Sequence, residues 1–252
     1  MIRTEKLTKK YGALTAVDNL DLEVGAGEIF GFLGPNGAGK TTTIKMLVGM
    51  LAPTAGAIFI NDIDALADPL AAKRVIGYIP DRPYLYEKLT AAEFLRFVGG
   101  LYSMPPDEAA KFGAELLTMF ELDKWANELV ENFSHGMKQR LIMSAALLHR
   151  PKALIVDEPM VGLDPKGARL VKRLFRELVR AGRTIFMSTH TLEVAEEVCD
   201  RIAIIHQGRI IALGTMAEIR RANQADDGRL ESIFLELTGG DEVADLVDVL
   251  RE

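Results

Sequence analysis

The stretch Gly34-Pro35-Asn36-Gly37-Ala38-Gly39-Lys40-Thr41 constrains this chain more than any other. It follows a short apolar run at 28–33 and precedes a run of helical period through Ile44, Leu47 and Val48. A glycine-rich turn between a strand and a helix lets successive N–H groups converge on phosphate oxygens, and the helix start adds partial positive charge. In that setting the spacing predicts that Lys40 reaches the β- and γ-phosphates of a bound nucleotide and that Thr41, with Thr42 beside it, offers its hydroxyl to Mg²⁺. The pattern occurs once, and no internal repeat accompanies it.

A second run, 153–156, is apolar and ends in Asp157-Glu158-Pro159. In isolation it reads as a solvated strand-end turn stopped by proline. In a parallel sheet, however, ligands bind at the carboxyl ends of the strands, so these acids are expected to face the phosphates held by the loop. Asp157 then holds a water in the Mg²⁺ shell, and Glu158 polarises the water that attacks the γ-phosphorus.

Further short apolar runs at 57–60, 75–79, 184–187 and 201–205 alternate with stretches of helical period, the pattern of a layered α/β domain with a mostly parallel sheet. Gln207-Gly208 joins two apolar runs as a hairpin. Between 83 and 150 the strand signal stops, and Thr90-Ala91-Ala92-Glu93 reads as a capping box. Hence a single domain is expected, with 1–82 and 151–215 as the nucleotide-binding core, 83–150 as an inserted helical subdomain, and 216–252 as a helical tail. In the tail, Leu230, Ile233, Phe234 and Leu237, then Val243, Leu246, Val247 and Leu250, repeat at helical spacing.

Composition narrows the class. The chain has 252 residues, a net charge of -6 and only short basic pairs, Lys9-Lys10 and Arg220-Arg221, which argues against a nucleic-acid partner. Its one cysteine, Cys199, cannot form an internal disulfide, so a reducing, cytoplasmic setting is expected. No apolar run approaches the length that spans a bilayer, so a partner would have to hold the chain at a membrane.

Phe133-Ser134-His135-Gly136-Met137-Lys138-Gln139-Arg140, shortly before the acidic strand, resembles the signature motif of ABC ATPases, in the variant form found in drug and antibiotic exporters with separate membrane subunits. Ser134 and Gly136 match the usual Leu-Ser-Gly-Gly-Gln, while Phe133, His135 and Met137 replace its other residues. Independently of the resemblance, Ser134 is a good N-cap for a helix with Met137, Leu141, Ala145 and Leu148 on one stripe. Three more matches keep the family's order: Tyr11 resembles the aromatic residue that stacks on adenine, Gly162-Leu163-Asp164-Pro165 the loop that crosses to a second subunit, and His190 the switch histidine that meets the γ-phosphate. The family places glutamine after Gly-Tyr-x-Pro, whereas this chain has Asp81 after Gly77-Tyr78-Ile79-Pro80. A carboxylate there can still serve Mg²⁺, but beside Asp157 and Glu158 it implies a stronger dependence on the ion.

The resemblance runs from about Tyr11 to Gly214 and implies the ABC ATPase fold: a P-loop core, an antiparallel β part and an inserted helical subdomain. It also implies an ATPase whose two subunits close around two ATP, with Ser134 and Gly136 acting in trans. Such a pair drives an integral-membrane permease from its cytoplasmic face. Glu158, His190 and Lys40 become the expected catalytic residues. A homodimer fits, since every motif is present, and a heterodimer stays open. Arg82-Pro83-Tyr84-Leu85-Tyr86 offers aromatic residues either for docking the permease or for internal packing. The competing reading is a soluble ABC ATPase of DNA repair or translation, which would ordinarily carry a second cassette, coiled coils or basic segments.

Overall fold

A computed structural model describes residues 1–223 and 230–238. Strands β1 (Ile2–Tyr11) and β2 (Leu14–Val24) form an antiparallel hairpin, which β4 (Ala55–Ile60) and the short β5 (Ile63–Asp64) extend into a four-stranded sheet. The chain passes through β3 (Ile29–Leu33) into α1 (Lys40–Leu47) before β4, and through α2 (Pro69–Val75) into β6 (Ile76–Ile79) after β5. Next come α3 (Ala91–Leu101), α4 (Pro106–Met119) and α5 (His135–Leu148), with no strand among them. It then runs through β7 (Ala153–Asp157), α6 (Pro165–Arg180), β8 (Thr184–Thr189), α7 (Leu192–Val198), β9 (Arg201–His206), β10 (Arg209–Gly214), α8 (Met216–Ala222) and α9 (Leu230–Thr238).

The second sheet, ordered β10-β9-β3-β8-β7-β6, is parallel except for β10. Its inner strands β3, β7, β8 and β9 are mostly apolar because both faces are covered, whereas the edge strand β10 is alternately exposed. Ile29, Leu33, Leu154, Val156, Ile185 and Met187 face the layer containing α3 to α7. Phe30, Phe32, Ile155, Phe186 and Ile205 face α1, α2 and the antiparallel sheet. The alternation is the period of two expected of strands, here with both faces buried. This is the α/β architecture anticipated from the sequence: a mostly parallel sheet, an antiparallel β part and an inserted run of helices.

Three features differ from the sequence reading. The N-terminal hairpin was not legible as strands, because register shifts at Lys6 and Asn19, both with φ 47, break the period-two alternation. Val75 closes α2 rather than opening the following strand. The Ser134 cap does form, its Oγ accepting the Met137 N–H at 3.3 Å, and α3 opens with the Thr90–Glu93 capping box. Helix α5 nevertheless has no single apolar stripe: Leu141, Ala145 and Leu148 are buried, but so are Met143, Ser144 and Leu147, because α3, α4 and the β6 edge enclose it. In α9, Leu230 and Ile233 are buried; the helix expected around Val243, Leu246, Val247 and Leu250 lies outside the described residues. Among the described residues no helix is long and apolar enough to cross a membrane.

Candidate nucleotide site

The loop from β3 into α1 is shaped by glycines at fixed close approaches. A Cβ on Gly34 would stand 2.3 Å from the Ile205 carbonyl, and one on Gly39 would stand 2.5 Å from that of Ala16. Gly39 also holds φ 110, which is open to glycine and little else. As the N-cap of α1, Gly39 provides no side-chain acceptor, so the amides of the first turn are left for an anion. Lys40 is buried, and its Nζ donates to the carbonyls of Gly34 at 2.6 Å and Pro35 at 3.1 Å. Burial lowers its pKa, opposed by the charges of Glu158 and Asp157.

The acid pair is set by sheet register. Asp157 ends β7 directly opposite Ser188 of β8, and the Ser188 hydroxyl donates to its carboxylate. Burial raises the Asp157 pKa; the Ser188 bond opposes that rise, and the Asp81 charge adds to it. Glu158, one residue on, leaves the strand with φ 50, and its N–H donates to the Ser188 carbonyl at 3.2 Å. Its side chain turns to His190, whose Nδ1 donates to Oε1 at 2.8 Å. Burial, then the charges of Asp157 and Asp81, push the neighbouring Tyr78 hydroxyl up to about 12.

The phosphate loop, the acid pair and His190 meet in one cleft of about 490 Å³. Asn36, Gly37, Gly39, Lys40, Thr41 and Thr42 form its floor, Asp81, Asp157, Glu158 and His190 one wall, and Tyr11, half exposed, the mouth. Gly34, Pro35 and Ala38 belong to the same loop without lining the space, and Ser134 and Gly136 stand at the start of α5, outside it. Sequence reading missed four contributors: Ser188, and Leu14, Ala16 and Val161 beside the mouth. Only Ser188 had a signal, as a polar residue near the end of an apolar strand; the others depend on the hairpin and on loop placement.

Thr41, Asp81 and Asp157 bring three hard oxygen donors to one wall and floor, a set suited to Mg²⁺. Among the described residues no three His, Cys, Asp or Glu side chains cluster as a metal cage. An ion in this cleft would therefore also draw on phosphate and water, as Mg²⁺ characteristically does.

A phosphate loop between strand and helix, an acid pair at the end of a parallel strand separated from it by β8, and an antiparallel sheet beside the cleft define an ATP-binding P-loop hydrolase. The family model described as ABC transporter matches residues 17–161, and the chain belongs to that family. It is 40% identical over 219 residues to the linearmycin resistance ATP-binding protein of Bacillus subtilis, covering 87% of this chain and 70% of that protein. It is 34% identical over 241 residues to the ABC-type transporter ATP-binding protein EcsA of the same organism, covering 96% and 98%. A solved ATP-binding subunit of an ABC transporter superimposes with a TM-score of 0.89 at 35% identity, over 94% of this chain and 99% of that one. A dimeric ATP-binding cassette in a post-hydrolysis state, bound to ADP and Pi, gives 0.78 at 28% identity, over 85% and 98%. The chain is thus an ATP-binding and ATP-hydrolysing subunit of the ABC transporter type.

Proposed function

We propose that two copies of this chain close around two ATP molecules and drive a separate integral-membrane permease, in the direction of export. The observation that carries the two-copy reading is that Ser134 and Gly136, the anion-binding start of α5, stand outside the cleft lined by Lys40 and Glu158. One chain therefore presents two incomplete halves, and a second copy supplies what each lacks. The dimeric cassettes among the structural neighbours support this arrangement.

In this reading Tyr11 stacks on adenine, and residues Gly34 to Thr42 grip the phosphates. Lys40 leaves its two loop carbonyls for the β- and γ-phosphates. Thr41 and Asp81 would hold Mg²⁺, with Asp157 serving through a water, and the ion would supply charge neutralisation at the phosphates. Glu158 accepts a proton from the attacking water, and His190 orients the Glu158 carboxylate while meeting the γ-phosphate. Ser134 and Gly136 of the second copy close over that phosphate.

The segment 83–150 acts as the inserted subdomain between core and permease. Tyr84 is largely exposed, and Tyr86 packs edge-on to Phe97 at 5.2 Å while still reaching solvent, so the two residues offer an aromatic contact beside Asp81. Docked there, the chain sits on the cytoplasmic face of the membrane. Export is favoured by relatives named for linearmycin resistance and bacitracin transport, the latter from Bacillus licheniformis at 40% identity over 225 residues. Cargo choice belongs to the permease.

The test is to tag the chain in its native host, solubilise the membranes gently and identify what copurifies. A multi-spanning protein in stoichiometric amount is expected. A ribosomal or DNA-bound partner instead would leave an ATPase and remove the transporter.

A further inference from the structure

His135 is the first residue of α5, next to the Ser134 cap, and its imidazole lies on Gly162 in the loop after β7. A Cβ on Gly162 would stand 2.5 Å from Cδ2 and 2.6 Å from Nε2 of His135. The ring edge therefore fills the volume that any side chain at 162 would need. Gly162 also has φ 76, and its carbonyl faces Gly136, where a Cβ would come within 3.8 Å. The loop thus rests on the first turn of a helix that belongs to a different part of the chain.

What happens at Gly162 reaches Glu158 through two turns. The Val161 N–H donates to the Glu158 carbonyl at 3.2 Å, and the Leu163 N–H to the Met160 carbonyl at 3.3 Å. At the far end Asp164 accepts the Gly167 N–H at 2.7 Å, fixing the loop to α6, while Lys166 and Arg140 share Glu121 across the same seam. Glu158 itself holds φ 50, a conformation that a glutamate keeps only when its surroundings impose it. Its own N–H is tied to Ser188 on one side; on the other, the turn through Val161 is the restraint.

We propose that His135 is a positioning residue for ATP hydrolysis: its ring edge seats Gly162, and through the 158–163 turns this holds Glu158 in its left-handed, His190-facing conformation. The inference rests on the reading of Glu158 as the residue that polarises the attacking water. It assigns His135 no contact with the nucleotide. The action is one of shape, so a flat hydrocarbon ring should replace it and a methyl group should not.

The test is steady-state ATP hydrolysis by His135→Ala, His135→Phe, Gly162→Ala and the Ala/Ala double variant, with ATP affinity and thermal unfolding measured on each. His135→Ala should lower kcat about tenfold with KM for ATP unchanged, and His135→Phe should stay within about threefold of the parent. Gly162→Ala forces the new methyl into the ring, so removing the ring in that background should recover turnover, and the double variant should depart from the product of the singles by about threefold or more. Multiplicative effects, a His135→Ala variant with parental kcat, or an affinity loss that parallels the kcat loss would each overturn the proposal. If Gly162→Ala does not fold, the Ala and Phe variants at 135 still decide. A Glu158→Gln variant with intact turnover removes the assignment of Glu158, while the cycle reads the 135–162 coupling on its own.

Discussion

Ser188 stands directly across the parallel pairing of β7 and β8 from Asp157, and its hydroxyl donates to the buried Asp157 carboxylate. That bond opposes a burial effect which, with Asp81 nearby, still leaves the Asp157 pKa raised above 3.8.

The pH dependence of stability follows in sign. A raised folded-state pKa means that the folded chain holds the proton more tightly than the unfolded chain. The contribution of Asp157 is thus fully present below 3.8 and is lost as pH rises through the raised value. Asp157→Asn, a neutral isostere, should therefore gain stability over the parent across that window and remain more stable at pH 7, in the absence of ATP and Mg²⁺. Urea unfolding at a series of pH values checks this; an unchanged difference between the two proteins across that range contradicts it.

Glu158 and His190 are joined at 2.8 Å. Glu158→Gln should cut kcat by about 10²–10⁴-fold, the range of a general base, with ATP affinity retained. His190→Ala should cost less on its own and add little when combined with Glu158→Gln, because residues that act together are not additive. Phosphate release and nucleotide titration separate the two effects. Equal losses of affinity and turnover would contradict these roles.

Gly39 combines φ 110 with a 2.5 Å approach of a virtual Cβ to the Ala16 carbonyl. Gly39→Ala should cost about 1–3 kcal/mol in backbone strain alone and should abolish ATP binding, since the loop must shift to relieve the clash. Chemical denaturation and nucleotide titration on the same preparation test both halves.

Asp81 has no cation partner among the described residues and adds negative charge beside Asp157 and Glu158. Hydrolysis should stop on chelation of divalent ions, and Asp81→Gln should change the Mg²⁺ concentration at half-maximal activity. A Mg²⁺ titration with unchanged midpoint would remove Asp81 from the metal shell.

The site was legible in sequence wherever its chemistry is local. The phosphate loop, the acid pair after an apolar strand and the Ser134 cap each declare themselves within a few residues, since backbone geometry and capping act over that range. The same locality exposed the strands of the parallel sheet, whose burial on both faces leaves unbroken apolar runs. The hairpin of β1 and β2 stayed hidden because its bulges at Lys6 and Asn19 scramble the alternation, and with it went Leu14 and Ala16 at the cleft mouth.

By itself, then, the sequence determined that a triphosphate is gripped, which residues carry the charge, and the α/β layering that places them at strand ends. Tertiary structure alone decided that Ser188 faces Asp157 and that His135 rests on Gly162. The members of each pair lie tens of positions apart along the chain. Their meeting depends on sheet register and on the seating of α5 against the loop after β7, and periodicity within one segment carries no information about either.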